Sequence, residues 1–187
     1  MDYLGPGLVL ALNAISASLF VILVLRLLSA IRLTGDHRLA AAAVGASLLA
    51  AALLTEGLSL CARGYWYPGR GWGWGRRYWP RASHAPASHL LYILSYAFLL
   101  GSYISPPGVV GVTALLVPLE AGAAAMAGAV ALSAWRRGAS APVVVGYALL
   151  AASHLIHMVL PGGDLTVALV RSLAALVLAV SPLRVRG

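Results

Sequence analysis

Residues 7–31 read GLVLALNAISASLFVILVLRLLSAI, an apolar run in which the only charged side chain is Arg26. Crossing the hydrocarbon core of a bilayer takes roughly 20 apolar residues in an α-helix. Backbone polar groups must be satisfied within the segment when lipid surrounds it, so this run predicts a transmembrane helix. No basic segment precedes the run, and it is too long for a signal-peptide core, so we expect the helix to be retained.

Five further runs of the same character follow. The six predicted helices cover residues 7–31, 38–61, 89–105, 109–135, 142–160 and 165–183. Turn-forming residues separate several of them, as in PPG at residues 106–108 and PGG at residues 161–163, because Pro and Gly interrupt helices and supply turn geometry. The predicted fold is an all-α integral membrane protein, with one transmembrane domain over residues 1–187 folded as a compact bundle of six helices.

Composition indicates the same class. Hydrophobic residues make up 61% of the chain and charged residues only 10%, against about 25% charged residues in a typical soluble domain. The net charge is +8, and all thirteen basic residues are arginines. Since these arginines fall mainly in predicted loops and at helix ends, we interpret them as signals of membrane orientation and expect no nucleic-acid partner. The absence of lysine excludes a retinal Schiff base.

The distribution of arginines predicts an orientation in the cell membrane. One side would hold the N-terminus, the long loop, the connection between helices 4 and 5, and the C-terminus. That side carries Arg63, Arg70, Arg76, Arg77, Arg81, Arg136, Arg137, Arg184 and Arg186, and the opposite side carries Arg26, Arg32 and Arg38. Basic residues are enriched on the cytoplasmic side of membrane proteins, so both termini are predicted to be cytoplasmic.

One long connection, residues 62–88, is rich in aromatic and basic residues and contains GWGWGRRYW at residues 71–79. Trp and Tyr favour the headgroup layer, and Arg favours anionic lipid. We interpret this loop as an interfacial belt lying along the membrane. The alternative is a lid over a site at the same surface.

Two segments suggest an internal repeat. SYAFLLGSYI at residues 95–104 resembles GYALLAASHL at residues 146–155, and a Pro/Gly turn and another helix follow each. In the predicted topology both helices run in the same direction, which predicts a parallel repeat of helix hairpins. The alignment puts His154 at the place of Tyr103.

Several ionisable side chains lie inside the predicted helices. They are Glu56, Glu120, His154, His157 and Arg171. Such residues are costly in lipid and usually face the bundle interior. Counting depth at about 1.5 Å per residue places Glu120, His154 and Arg171 in the outer half of the bundle, with Tyr103 near the rim of the group. This predicts a buried Glu120–Arg171 ion pair, which either fixes helix packing or belongs to a ligand or cofactor site.

A second predicted site lies toward the inner face. Glu56 is near the inner end of helix 2, and His89 begins helix 3 on the same side. With the aromatic loop they could form an inner site, although His89 could instead be an interfacial cap.

Two helices carry polar and aromatic stripes. His89, Tyr92, Tyr96 and Tyr103 share one face of helix 3, and Tyr147, His154 and His157 share one face of helix 5. A stripe of this kind lines either a cavity or a helix–helix seam, in which tyrosine hydroxyls bond between helices.

The histidines suggest a cofactor, because imidazole is a common axial ligand of b-type haem and Arg and Tyr suit its propionates. The predicted haem b site consists of the candidate ligands His154, His157 and His89, surrounded by Arg171, Tyr103 and Tyr96. His154 and His157 are also a candidate metal-binding pair. The predicted function is therefore a small membrane haem protein that exchanges electrons with a quinone or another redox partner, or that senses a gas or redox state.

Three other functions stay open. They are a cofactor-free membrane sensor or ligand-binding module, a small transporter with Glu120, Arg171 and Glu56 on its path, and an accessory subunit of a membrane complex. Because little of the chain lies outside the membrane, we expect a homo-oligomer or a subunit of a complex. The chain contains no HExxH, GxSxG or P-loop motif and no paired acidic motif, so the sequence names no enzymatic reaction and no catalytic residue.

Overall fold

The computed structural model describes residues 4–36, 38–66, 86–103, 119–160 and 163–182. These residues form the helices α1 (Leu4–Thr34), α2 (Arg38–Trp66), α3 (Pro86–Tyr103), α4 (Leu119–Arg136), α5 (Ala141–Val159) and α6 (Asp164–Val180). The predicted all-helical class is confirmed for this part of the chain. The loop predicted over residues 62–88 is shorter, because residues 62–66 belong to α2 and residues 86–88 to α3. Residues 67–85, which hold most of its Trp and Arg residues, lie outside the described residues.

Three helices are long and apolar enough to cross a membrane, namely Gly7–Thr34 of α1, Arg38–Leu60 of α2 and Ala141–Val159 of α5. Helices α3 and α4 have 18 residues each and α6 has 17. At 1.5 Å per residue, these three helices are about 26 to 27 Å long. Length and composition therefore identify three membrane-spanning candidates among the described helices.

The six helices are arranged as a closed ring. Over the described ranges, each helix packs against two others, in the order α1, α2, α3, α4, α5, α6 and back to α1. Small residues permit close approach between neighbours. At Gly45 of α2, an added Cβ would lie 2.7 Å from the Cγ of Leu99 on α3. The close packing of α2 against α3 at this glycine is of the kind that small residues allow in helix bundles.

The helix directions depart from the predicted alternation. His89 near the start of α3 and His157 near the end of α5 both bond to Glu120, at the start of α4. Helices α3 and α4 therefore begin at the same end of the bundle, and α3 and α5 run in opposite directions. The predicted repeat of parallel helix hairpins is wrong, because it requires α3 and α5 to run the same way.

These directions define two ends of the ring. The site end is the end where α1, α3, α4 and α6 begin and where α2 and α5 finish, and the distal end is the opposite one. Helices α1 and α6 are parallel, since Ser16 bonds to Ser172 at 2.9 Å and Arg26 donates to the Ser181 carbonyl at 2.8 Å. The bundle thus consists of two three-helix halves, α1–α3 and α4–α6, with the same order of directions.

The topology also changes the predicted orientation. Helix α1 begins at the site end and α6 finishes at the distal end, so these two helix ends lie at opposite ends of the bundle. The predicted placement of both termini on one face is therefore not confirmed. Arg26, Arg32, Arg38, Arg136 and Arg137 all lie toward the distal end. The predicted sidedness puts the first three and the last two on opposite faces, and the topology brings all five to the same end.

Candidate functional site

The carboxylate of Glu120, near the start of α4, is contacted by three imidazole rings. Its Oε1 lies 2.6 Å from Nε2 of His89 and 2.6 Å from Nδ1 of His157. Its Oε2 lies 2.8 Å from Nδ1 of His154. These are hydrogen-bond distances. With Glu120 ionised, each ring nitrogen that faces it must carry the hydrogen, since a carboxylate only accepts.

This cluster is connected to the surface at the site end. The side chain of Glu120 is 19% exposed and that of His157 14%. Nε2 of His157 lies 3.7 Å from Oδ1 of Asp164, whose side chain is 42% exposed. His157 and Asp164 therefore form the outer side of the cluster.

The cluster continues inward through His154, which is completely buried. Its Nε2 lies 3.0 Å from the hydroxyl of Tyr96, which is also completely buried. If Nδ1 donates to Glu120 and the ring is neutral, Nε2 accepts the hydrogen bond from the Tyr96 hydroxyl. Asp164, His157, Glu120, His154 and Tyr96 thus form a series of polar contacts from the surface to the ring interior, which we call the relay.

A second carboxylate, Glu56 of α2, has different partners. Its Oε2 accepts hydrogen bonds from Nη1 of Arg171 at 2.5 Å and from the hydroxyl of Tyr92 at 2.7 Å. Arg171 also donates through Nε to the hydroxyl of Ser153 at 3.3 Å. Arg171 and Glu56 are both buried. Helices α2 and α6 are not neighbours in the ring, so this ion pair crosses its interior.

Aromatic rings join the two carboxylate sites. The ring of Tyr92 stacks on that of Tyr96 with centroids 6.4 Å apart, and the ring of His154 meets Tyr92 edge-on at 5.0 Å. The guanidinium carbon of Arg171 lies 4.8 Å from the centre of the Tyr92 ring, within the range of a cation–π contact. Side chains from α2 to α6 therefore build one polar core inside the ring.

The predicted Glu120–Arg171 ion pair is wrong, because Arg171 pairs with Glu56 and Glu120 is met by histidines. The sequence predicts that helix 4 starts at residue 109, on the face opposite to the start of helix 3. The described α4 instead begins beside the start of α3, which places Glu120 next to His89. Residues 104–118, which lead from α3 to α4, lie outside the described residues.

Tyr103 is also misplaced in the prediction. It ends α3 at the distal end, where its ring meets that of Tyr147 edge-on at 6.4 Å, and it is not part of the polar core. The other candidate residues come together in the polar core: His89, His154, His157, Tyr96, Arg171, Glu56 and Glu120. Tyr92 also belongs to the polar core, although the predicted site omits it, and its place on the same helix stripe as His89 and Tyr96 is the signal that indicates it. Asp164 lies near His157, where the sequence predicts only a turn.

The three candidate haem ligands each direct a ring nitrogen at Glu120. His154 uses both nitrogens, one for Glu120 and one for Tyr96. Axial ligation needs an imidazole nitrogen that faces the iron, so His154 could bind haem only after giving up one of these bonds. Haem b therefore stays a prediction.

A metal site at His154 and His157 also stays a prediction. Within the described ranges, no group of three or more His, Cys, Asp and Glu side chains is placed to hold a metal ion. The distances from the imidazole nitrogens to the Glu120 oxygens are 2.6 to 2.8 Å, which are direct hydrogen-bond contacts. In a zinc site each ligand atom lies about 2.0 to 2.2 Å from the ion. In this structure the imidazoles and the carboxylate therefore contact each other and not a shared ion.

Comparisons with protein families, with curated proteins and with solved structures found no match to this chain. The chemistry of the polar core is therefore inferred from its own side chains. Imidazole changes its charge between about pH 5 and pH 8. A carboxylate surrounded by imidazoles in hydrogen-bond contact can accept protons and pass them on.

Proposed function

We propose that this chain is a multi-pass protein of the cell membrane whose polar core conducts protons, as a small proton-translocating or proton-coupled transporter. The relay is the observation that carries this proposal. Ionisable groups inside a membrane commonly mark proton and ion pathways, and here they form a series that begins at a partly exposed carboxylate.

The outer surface of the ring supports placing all six helices in lipid. Each helix presents at least one leucine that is more than 40% exposed: Leu25, Leu58, Leu94, Leu132, Leu155 and Leu173. The charged side chains Glu56 and Arg171 lie inside the ring instead. An apolar exterior around a charged interior is favourable when the surroundings are hydrocarbon. Even the shorter helices, about 26 to 27 Å long, nearly match a hydrocarbon core of about 30 Å.

The hydrogen bonds of the relay permit proton movement in discrete steps. A proton that reaches His157 can pass to Glu120, because Nδ1 of the ring contacts Oε1 directly. The protonated Glu120 can donate from Oε2 to Nδ1 of His154 when that ring carries its hydrogen on Nε2, the tautomer in which Nε2 donates to the Tyr96 oxygen, and the ring then holds a hydrogen on both nitrogens. The 3.7 Å distance between Asp164 and His157 exceeds a direct hydrogen bond, and a bridging water could complete this step.

Glu56 and Arg171 act as positioning residues in this proposal. Their charges cancel, so the pair adds no net charge to the core. The pair holds Tyr92 by a hydrogen bond to Glu56, and Tyr92 in turn packs against the His154 ring. The pair therefore orients the inner part of the relay without exchanging protons itself.

The test is proton flux into liposomes that contain the purified protein and a trapped pH-sensitive dye. A potassium gradient with valinomycin supplies the driving potential. The unaltered protein should move protons, and Glu120→Gln should reduce the flux at least tenfold, because the amide cannot take up the transferred proton.

The matched control is Asp36→Asn. Asp36 caps α2 at the distal end through Oδ1, which accepts a hydrogen bond from the Arg38 N–H at 2.9 Å. Asparagine retains this oxygen, so the control should conduct like the unaltered protein. No flux above that of empty liposomes would reject the transporter. Equal fluxes for Glu120→Gln and the unaltered protein would reject the relay.

A haem-based function is the second candidate, because the three histidines lie in one cluster with Arg171 and Tyr96 nearby. The quinone or redox partner, and membership of a homo-oligomer or membrane complex, stay predictions with it. An absorption spectrum of the purified protein distinguishes the two candidates. A Soret band that is lost in His154→Ala would replace the proton relay by haem chemistry.

A further inference from the structure

The distal end contains a concave site that is separate from the polar core. A cavity of about 340 Å³ lies between the α1–α2 turn, the α4–α5 turn and the ends of α3 and α6. Its inner wall is apolar and includes Leu23, Leu27 and Leu178. This volume is at the small end of the range for ligand pockets, about 300 to 1,000 Å³.

The rim of the cavity is cationic. Arg38 and Arg137 line it together with Asp36, so the charged lining residues sum to +1. In the described part of the chain, neither guanidinium forms an ion pair or a hydrogen bond with another side chain. The Asp36 carboxylate is already engaged by the first N–H of α2. The two arginines are therefore available to an anion.

The backbone adds to this positive character. Helices α2 and α5 both begin at the cavity, and the N-terminus of a helix favours negative charge. Ser140, which precedes α5 and lines the cavity, makes no capping bond with its side chain. Its hydroxyl oxygen is buried and has no hydrogen-bond partner among the described residues. Buried polar atoms without a partner are rare, and an anionic ligand could accept this hydrogen bond.

We propose that this cavity binds a small organic anion with an apolar part. A phosphate or carboxylate group would lie between Arg38, Arg137 and Ser140, and the apolar part would pack on the leucines of the inner wall. The ligand could be the headgroup region of an anionic lipid or a soluble amphiphilic anion. None of these residues belongs to the relay, so this site can exist whether or not the polar core conducts protons.

The first experiment measures the thermal unfolding of the purified protein in a non-ionic detergent with octyl phosphate. The melting temperature should rise with octyl phosphate concentration, because a ligand that binds only the folded state stabilises it. Octyltrimethylammonium has the same chain with the opposite charge, and inorganic phosphate has no chain. Neither should reproduce the shift at the same concentration. An equal shift with octyltrimethylammonium would overturn the proposal.

The variants test the rim and the wall separately. The double change Arg38→Gln with Arg137→Gln should weaken octyl phosphate binding about tenfold or more, as expected for the loss of charge-assisted hydrogen bonds. Arg136→Gln is the matched control, because this neighbouring arginine does not line the cavity. Ala42→Phe should also weaken binding, since it fills the cavity without removing a charge. Unchanged binding in the double variant would contradict the site.

A second experiment identifies the source of the ligand. The protein is placed in nanodiscs of phosphatidylcholine with or without phosphatidylglycerol, and retained lipid is counted by native mass spectrometry. Retention of phosphatidylglycerol that octyl phosphate displaces would identify a lipid headgroup as the ligand. Octyl phosphate binding that phosphatidylglycerol leaves unchanged would identify a soluble anion. If neither anion binds in a manner that depends on Arg38 and Arg137, the proposal is wrong.

Discussion

Glu56 and Glu120 belong to the same polar core, but their surroundings differ in partner and in access. Glu56 is buried against a guanidinium and a phenol. Glu120 is contacted by three imidazoles, and its side chain is 19% exposed near the surface residue Asp164. Guanidinium stays charged at any physiological pH, whereas imidazole gains or loses a proton in that range.

This difference assigns separate roles to two chemically identical groups. A carboxylate paired with arginine is held in one charge state, so Glu56 is suited to holding the helices in place. A carboxylate among histidines can share a proton with any of them, so Glu120 is suited to exchange. The comparison predicts that changes near Glu56 act mainly on stability, whereas changes near Glu120 act mainly on proton movement.

The largest effect is expected from breaking the buried ion pair. Glu56→Gln or Arg171→Gln alone should lower the free energy of unfolding by about 3 to 5 kcal/mol, because the remaining charge is left buried without a counter-ion. The double variant should be more stable than either single variant. Thermal or denaturant unfolding followed by circular dichroism measures this, with the exposed Arg136→Gln as control. A double variant less stable than both singles would contradict the assignment of a mainly structural pair.

Glu120→Gln should destabilise the protein less than Glu56→Gln. The neutral amide weakens charge-assisted hydrogen bonds, which contribute about 1.5 to 3 kcal/mol, but the Glu120 side chain is 19% exposed, so water can replace part of the lost interaction. The same unfolding measurement compares the two glutamines directly. If Glu120→Gln were the more destabilising change, Glu120 would have the structural role assigned to Glu56.

Proton flux should depend on the outermost histidine of the relay. His157→Gln should reduce the flux, because His157 connects Glu120 to Asp164 at the surface. The liposome assay measures this change, and Asp36→Asn should retain the full flux. A His157→Gln flux equal to that of the unaltered protein would exclude this histidine from the path.

The smallest and most selective changes are at the two stacked tyrosines. Tyr96→Phe removes one hydroxyl bonded to His154, and Tyr92→Phe removes one bonded to Glu56. We expect Tyr96→Phe to reduce the flux while lowering stability by only about 0.5 to 1.5 kcal/mol. Tyr92→Phe should lower stability more, because its acceptor is charged, and should leave most of the flux. The opposite pattern would exchange the roles of the two carboxylates.

The sequence alone determined the helices and much of the membership of the polar core. Residues 142–160 are predicted as a helix, and α5 spans Ala141–Val159. Long apolar runs define such helices because their backbone must be satisfied internally in lipid. The cost of ionisable groups in hydrocarbon likewise predicts that Glu56, Glu120 and Arg171 face the interior, whatever their partners.

Only the tertiary structure decided which charge meets which. An apolar run has the same composition in either direction, so it does not specify the end of the bundle at which a helix begins. Because α4 begins beside the start of α3, Glu120 meets His89 and the end of α5, and Arg171 is left to pair with Glu56 across the ring. The distal cavity has the same origin, since Arg38 and Arg137 are distant in sequence and line one cavity only when α2 and α5 begin at the same end.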